Sequence, residues 1–431
     1  MSIKTFLMPY VTKHMLSHES LLKKRQSFEK KRQKAQEPHT IHFFHQVDDP
    51  YSCLLAEALP VLYRKFDVQV EIHLVEAPGD AFAPERQKLM IYSRRDASLL
   101  AKHFSLNFMD PSEQPSSELI LKSQKLILDH LKSMNALDQL SRISQELWMD
   151  QNKISDSPNP LINNVQLQDH LAKSNQLRNH WGHYLGGTIY YGGEWYWGID
   201  RLYHLEDRLL TLKVQRDFNT SQFPIQTNYL FPPDTLKPHT GQPKQGQTID
   251  FFFSFRSPYS AIVAPRIFDL AKKHQVQVNL RFVLPMVMRG LPVPMKKRMY
   301  ISRDTAREAF FRDIPFGKLN DPVGPPTERG LSLIPLAEQL GCGQKYVLSF
   351  MRGVWSEGFD AGSDRDLKKI TDRCEIPWNL CELALKDEQW RSQAELNRTE
   401  LFSLGLWGVP SFKINNLAVW GQDRLWAIED E

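Results

Sequence analysis

Residues 249–255 (Ile-Asp-Phe-Phe-Phe-Ser-Phe) form an apolar, β-rich run that ends at a proline turn. From Tyr259 to about Lys273 the apolar positions follow helical spacing, and a second apolar run extends from Val276 to Leu284. Short β-rich runs predict strands and a 3.6-residue period predicts a helix, so this order reads as a βαβ unit. A mostly helical stretch follows, in which Ser363-Asp364 is the expected N-cap before Asp366-Leu367-Lys368-Lys369-Ile370. Asp387-Glu388 opens an amphipathic run to Leu404. Then come a short strand (Ser411 to Ile414), the turn Asn415-Asn416, a second strand (Leu417 to Trp420) and a closing helix from Asp423. The pattern is a βαβ unit, a helical insertion and a ββα unit.

The first half of the chain carries the same pattern at a constant spacing. With an offset of 208, Thr40-Ile41 falls on Thr248-Ile249, Pro50-Tyr51-Ser52 on Pro258-Tyr259-Ser260, and Val68-Gln69-Val70 on Val276-Gln277-Val278. Lys88, Tyr92 and Arg95-Asp96 fall on Lys296, Tyr300 and Arg303-Asp304. Near the end of each half the offset is 223, and Trp197-Gly198 with Asp200-Arg201-Leu202 falls on Trp420-Gly421 with Asp423-Arg424-Leu425. Self-similarity of this kind predicts two copies of one unit, the second longer by about fifteen residues between these landmarks. Residues 214–246 hold Pro224, Pro232, Pro233, Pro238, Gly241, Pro243 and Gly246 with little apolar periodicity, the composition of a linker. The expected organisation is an N-terminal arm (1–38), a first domain (39–213), a linker (214–246) and a second domain (247–431).

Composition adds bounds. The chain has 431 residues, 41% hydrophobic and 24% charged, which suits two or three globular domains. The net charge of +4 is too small to mark a nucleic-acid protein, and much of the excess sits in Lys23, Lys24, Arg25, Lys30, Lys31, Arg32 and Lys34. That run reads as a solvated helical arm, with contact to anionic lipid or nucleic acid as the alternatives. Four cysteines without a CxxC pair do not make a disulfide framework and fit a reducing, cytoplasmic setting. No stretch approaches the length of a membrane-spanning helix. There is no Walker A loop, no HExxH and no cysteine–histidine cluster with zinc-ligand spacing, so no metal is expected. His39, His42 and His45 are close in sequence, yet on a strand His42 points away from the other two.

The chemistry concentrates at Arg256-Ser257-Pro258-Tyr259-Ser260. Ser257 lies where a strand gives way to a helix, so its hydroxyl sits among free N–H groups at the positive end of the helix dipole, a place suited to an anion or to a plain N-cap. Together with Phe251-Phe252-Phe253-Ser254-Phe255, Pro294 to Asp304, Gly408-Val409-Pro410-Ser411-Phe412 and Trp420-Gly421-Gln422-Asp423-Arg424-Leu425, it makes residues 248–431 resemble a known group. This is the 2-hydroxychromene-2-carboxylate isomerase and kappa-class glutathione transferase group of the DsbA-like thioredoxin superfamily. The implied fold class is α/β, as two tandem thioredoxin-like (DsbA-type) domains, each with a helical insertion.

The resemblance implies a glutathione site. Ser257 would donate a hydrogen bond to the glutathione sulfur and favour its thiolate. Gly408-Val409-Pro410 resembles a cis-proline segment whose Val409 backbone meets the cysteinyl part. Gln422 and Asp423 stand where the γ-glutamyl group is held, and Lys296 or Lys297 where a lysine meets the glycine carboxylate. For each the plain alternative is an N-cap, an ordinary approach to a strand or an exposed lysine. Because Ser257 and Ser260 replace both cysteines of a redox CxxC motif, disulfide exchange at this site is excluded.

Two departures bear on function. After the second strand the group commonly carries a Gly-Asn-x-Pro-Pro-like stretch, whereas this chain has Arg289-Gly290-Leu291-Pro292-Val293-Pro294, which puts the isomerase's own substrate chemistry in doubt. In the first copy Asp49 stands at the position of Ser257, where a carboxylate would repel a thiolate, and Gly187 stands at the position of Pro410. Residues 39–213 therefore read as a structural or regulatory partner domain, with Cys53 as a buried apolar side chain. The implied function is a glutathione-dependent isomerase or transferase acting on a small electrophilic substrate. The alternative is a non-catalytic tandem scaffold that binds a partner. The tandem could satisfy a dimer contact within one chain, or the chain could form a homodimer.

Overall fold

The computed structural model of the chain describes residues 3–155, 162–216 and 246–431, with side chains from Leu7 onward. Two compact units are present, one made of Met1–Lys23 with Asp234–Glu431 and the other of Lys24–Pro233. Each contains a four-stranded mixed sheet. Among the described residues no helix is long and apolar enough to cross a membrane.

The chain opens with helices α1 (Ile3–Leu16) and α2 (His18–Ala35). Helix α1 is packed at its C-terminal end. Leu16 and Thr12 are buried, and Leu319 donates its N–H to Thr12 Oγ1 at 3.1 Å. α2 carries the basic run and buries none of its residues. Its lysines are exposed, while Arg25 is half-buried in a two-pronged bond with Glu194 at 2.7 and 3.0 Å.

In the unit of residues 24–233, β1 (Thr40–His45) pairs in parallel with β2 (Gln69–Leu74). On its other side β1 meets β3 (Thr188–Tyr191) antiparallel, and β3 turns into β4 (Glu194–Trp197), giving the order β2-β1-β3-β4. Helix α3 (Pro50–Lys65) connects β1 to β2 and is buried along most of its length, from Ser52 to Leu62. Four further helices, α4 (Arg86–Phe104), α5 (Ser117–His130), α6 (Ala136–Met149) and α7 (Asn164–His180), form the insertion before β3. α8 (Leu202–Thr211) follows the hairpin. Phe43, Phe44, Phe66, Trp148 and Tyr196 are fully buried and anchor this core. Of the expected linker, residues 217–245 lie outside the described residues. Residues 214 and 215 of the expected linker are packed, since Val214 is buried and Gln215 bridges to Phe66.

In the other unit, β5 (Thr248–Phe253), β6 (Gln277–Phe282), β7 (Ser411–Ile414) and β8 (Leu417–Trp420) take the order β6-β5-β7-β8 with the same strand directions. The registers correspond position by position: Thr40 pairs with Gln69 as Thr248 pairs with Gln277. Helix α9 (Pro258–His274) makes the crossover, and its last turn is basic, with Lys272, Lys273 and His274 facing the negative end of the dipole. The insertion holds α10 (Met295–Phe311), α11 (Pro325–Ser332), α12 (Ile334–Gln339), α13 (Gly343–Arg352), α14 (Asp364–Asp372), α15 (Trp378–Ala384) and α16 (Gln389–Ser403), and α17 (Leu425–Asp430) closes the chain. Ser363 caps α14 by accepting from Asp366 N, as the pattern predicts.

The core of this unit is a stack of phenylalanines. Phe251 lies parallel to Phe412 with centroids 5.4 Å apart, and Phe255 lies on Phe350 at 3.9 Å. A Cβ at Gly330 would sit 2.4 Å from the Phe350 ring, so α11 can approach this stack only through glycine. Removing one such buried ring costs about 3–5 kcal/mol, which fixes β5 and with it the head of α9.

Candidate functional site

Three segments meet at the head of α9. β5 leads the chain to Ser254, whose carbonyl accepts the N–H of Ser257 at 2.9 Å. Ser257 is the N-cap, extended in backbone, with Oγ accepting from Ser260 N at 3.2 Å. Pro258 occupies the first helical position, where its missing N–H costs nothing. Ser257 Oγ also donates to Val409 O at 3.2 Å, and the Val409–Pro410 peptide is cis. Pro410 O accepts from Gly421 N at 2.9 Å, which ties the third segment to the second. Gly408 is required here, because a Cβ on it would lie 2.8 Å from Trp420 Nε1.

The electrostatics suit an anion. Ser257 is half-buried at the positive end of a 17-residue helix. Ser260 is fully buried, and its Oγ has no hydrogen-bond partner among the described residues. No cysteine stands at this helix end; Cys53, Cys374 and Cys381 are buried elsewhere and Cys342 is half-buried. Arg256 is engaged by Asp321 through two bonds of 2.8 Å.

The remaining expected residues divide. Asp423 lies half-buried in the single turn Gln422–Arg424, directly after Gly421. Gln422 is buried, and its amide is committed inside the protein. Its oxygen accepts from Arg266 of α9, and its nitrogen donates to Glu308 of α10 at 2.8 Å and to Asp423. These bonds hold Asp423 and join three elements. Lys296 and Lys297 lie in the first turn of α10, both half-buried. Burial pulls the Lys297 ammonium down to about 8. Arg289 stands over the Phe402 ring at 5.9 Å.

Sequence reasoning missed the bond that sets α10 against α9. Tyr259 OH donates to Asp304 Oδ2 at 2.7 Å, and Arg307 donates to the other oxygen at 2.7 Å. Both Tyr259 and Asp304 recur at offset 208 as Tyr51 and Asp96, which form the same bond at 2.7 Å. Retention of both partners in both halves was the signal available.

Residues 248–431 form a DSBA-like thioredoxin domain. Solved structures similar to the chain include 2-hydroxychromene-2-carboxylate isomerase, at 20% identity and a TM-score of 0.37, covering 42% of this chain and 93% of that one. Another is the cytosolic disulfide reductase DsbM from Pseudomonas aeruginosa, at 17% identity and a TM-score of 0.34, covering 42% and 95%. A third is the thiol-disulfide oxidoreductase MdbA from Corynebacterium diphtheriae, at 15% identity and a TM-score of 0.31, covering 44% and 86%. No curated protein matches the chain.

The corresponding place in the other unit is built differently from the DSBA-like domain. Asp49 caps α3, accepting from Tyr51 N at 3.3 Å and Ser52 N at 3.0 Å, and Ser52 Oγ donates to it at 2.9 Å. Burial pushes the Asp49 carboxyl up to about 7, against the opposing pull of Ser52. Gly187, with φ +58°, stands where the DSBA-like domain has Pro410, and a Cβ there would lie 2.7 Å from Asp49 Oδ2. The backbone bond is the same, Gly198 N to Gly187 O at 2.9 Å. Cys53 is buried, which raises its thiol pKa well above the usual value and leaves it inert.

Proposed function

We propose that residues 248–431 bind glutathione with its sulfur at Ser257 and use the thiolate against a small electrophile, as an isomerase or a transferase. The observation that carries this is the contact of Ser257 Oγ with the carbonyl of Val409, before the cis proline, at a helix N-terminus that holds no protein thiol. The hydroxyl has one proton. Turning it from Val409 O to an incoming sulfur supplies a hydrogen bond to the thiolate, in the field of the α9 dipole. The thiolate then adds to an electrophilic carbon. In transfer the new C–S bond stays. Either a leaving group departs with the electron pair of the bond that breaks, or the π pair of a conjugated acceptor moves to its carbonyl oxygen and the enolate takes a proton from water. In isomerisation, addition to an enone gives the enolate, the former double bond rotates as a single bond, and collapse of the enolate breaks the C–S bond and returns the thiolate.

The remaining contacts follow the resemblance. The Val409 backbone meets the cysteinyl part, Asp423 pairs with the γ-glutamyl ammonium, and Lys296 or Lys297 receives the glycine carboxylate. Gln422 serves as the brace of Asp423. Isothermal titration of reduced glutathione into the full chain tests the proposal. Binding that Ser257→Ala and Asp423→Ala each weaken is the expected result, and absence of binding to the intact chain overturns it.

A further inference from the structure

A second cluster of chemically active groups lies on the sheet of the other unit. Glu71 and His73 alternate with Ile72 along β2 and so project to one face, and the parallel register sets His42 of β1 directly opposite Glu71. His42 Nδ1 is 3.1 Å from His73 Nε2 and 3.2 Å from Glu71 Oε2, and the third side of the triangle is 3.7 Å. These three atoms are the ones a metal ion would use. A tetrahedral ion with bonds of about 2.0–2.1 Å sets its ligand atoms about 3.3 Å apart, so the triangle already has the required size.

The surroundings hold the donors in place. Phe44 stacks on the His73 ring with centroids 4.8 Å apart, and Trp181 meets the His42 ring edge-on at 4.8 Å. The two imidazoles are 19% and 15% exposed, while the Glu71 side chain is 56% exposed and marks the open side. His170 is turned to the backbone, where its Nε2 accepts from Leu74 N at 3.2 Å. Two imidazoles and a carboxylate are the donor types that suit zinc and related divalent ions.

We propose that His42, Glu71 and His73 bind a divalent transition-metal ion, zinc by its donor set, and leave a fourth position for water or another ligand atom. The proposal departs from the expectation of no metal, which rested on ligand spacing along the chain. His42 lies 31 residues from His73, and only the strand register joins them.

The test uses the full chain, stripped with a chelator and titrated with Zn²⁺, with Co²⁺ as a spectroscopic probe. One bound equivalent, visible bands of tetrahedral cobalt, and affinity weakened by at least about tenfold in His73→Asn and in Glu71→Gln are expected. Glu71 is largely exposed, so Glu71→Gln keeps the fold and reports on the site alone. Absence of stoichiometric binding, or equal binding by the wild type and both variants, overturns the proposal.

Discussion

At the head of α3, Asp49 accepts the N–H groups of Tyr51 and Ser52 and the hydroxyl of Ser52, and Ser52 Oγ in turn accepts the N–H of Gln46 at 3.1 Å. At the head of α9 the equivalent positions hold Ser257 and Ser260, with Ser257 shared between Ser260 N and Val409 O and Ser260 Oγ buried without a partner among the described residues. The sheets, registers and Tyr–Asp braces around the two places correspond, so the contrast isolates a few side chains. One helix end is closed on itself by a carboxylate that fits only beside glycine. The other presents a hydroxyl and a helix dipole to whatever arrives. The frame and the groups at the helix head thus vary separately in this chain, as expected where function resides in a site and not in a fold.

The largest effect should come from moving the carboxylate across. Ser257→Asp places a negative charge beside the proposed thiolate, and two like charges about 4 Å apart near a protein surface repel by about 4 kcal/mol. Glutathione binding measured by titration should then disappear, whereas retained binding would remove Ser257 from the site. Next in size, Gly187→Ala forces a Cβ against Asp49 at a positive φ and should destabilise the unit of residues 24–233 by about 1–3 kcal/mol in chemical denaturation. Tyr51→Phe and Tyr259→Phe each remove one bond to a buried aspartate. Each should cost about 1–3 kcal/mol. Similar losses in both would show that the braces are equivalent, and a loss confined to Tyr259→Phe would break the correspondence.

Two smaller effects depend on pH. The Asp49 carboxyl is raised to about 7 in the folded chain, above its ordinary value. Such a group lowers stability as pH rises from the unfolded value toward 7, because only the unfolded chain has then released the proton. Asp49→Asn should therefore flatten the stability profile between pH 4 and 7, with the gain greatest above 7. Lys297, near 8, is charged below that pH, so glutathione affinity should decline as pH rises through it. Lys297→Met should flatten that decline, and an unchanged profile would assign the carboxylate to Lys296.

The strands and the helices that abut them were legible because they are local. The β5 run, the Pro258 turn, the α14 cap at Ser363 and the Ser411–Trp420 hairpin each follow from neighbours in sequence. The meeting of Ser257 with Val409 was legible only through the resemblance, since the two are 152 residues apart. What stayed hidden depends on geometry across elements. The bonds of the Gln422 amide to Arg266 and Glu308 are among these, because nothing in the sequence brings those residues together. The His42, Glu71 and His73 triangle exists only once β1 and β2 are in register.

The insertions place the two sides of each sheet at very different distances along the chain. β5 reaches β6 after a crossover of about 30 residues, but reaches β7 only after about 160. Closing the longer loop costs about 1.5 kcal/mol more than closing the shorter one. The parallel pair is therefore the cheaper of the two to close, and the pairing with the antiparallel hairpin that follows Pro410 the more costly. The two sides of the proposed site therefore differ in what their assembly costs: Ser257 lies on the short crossover, whereas Val409 reaches it only across the long loop.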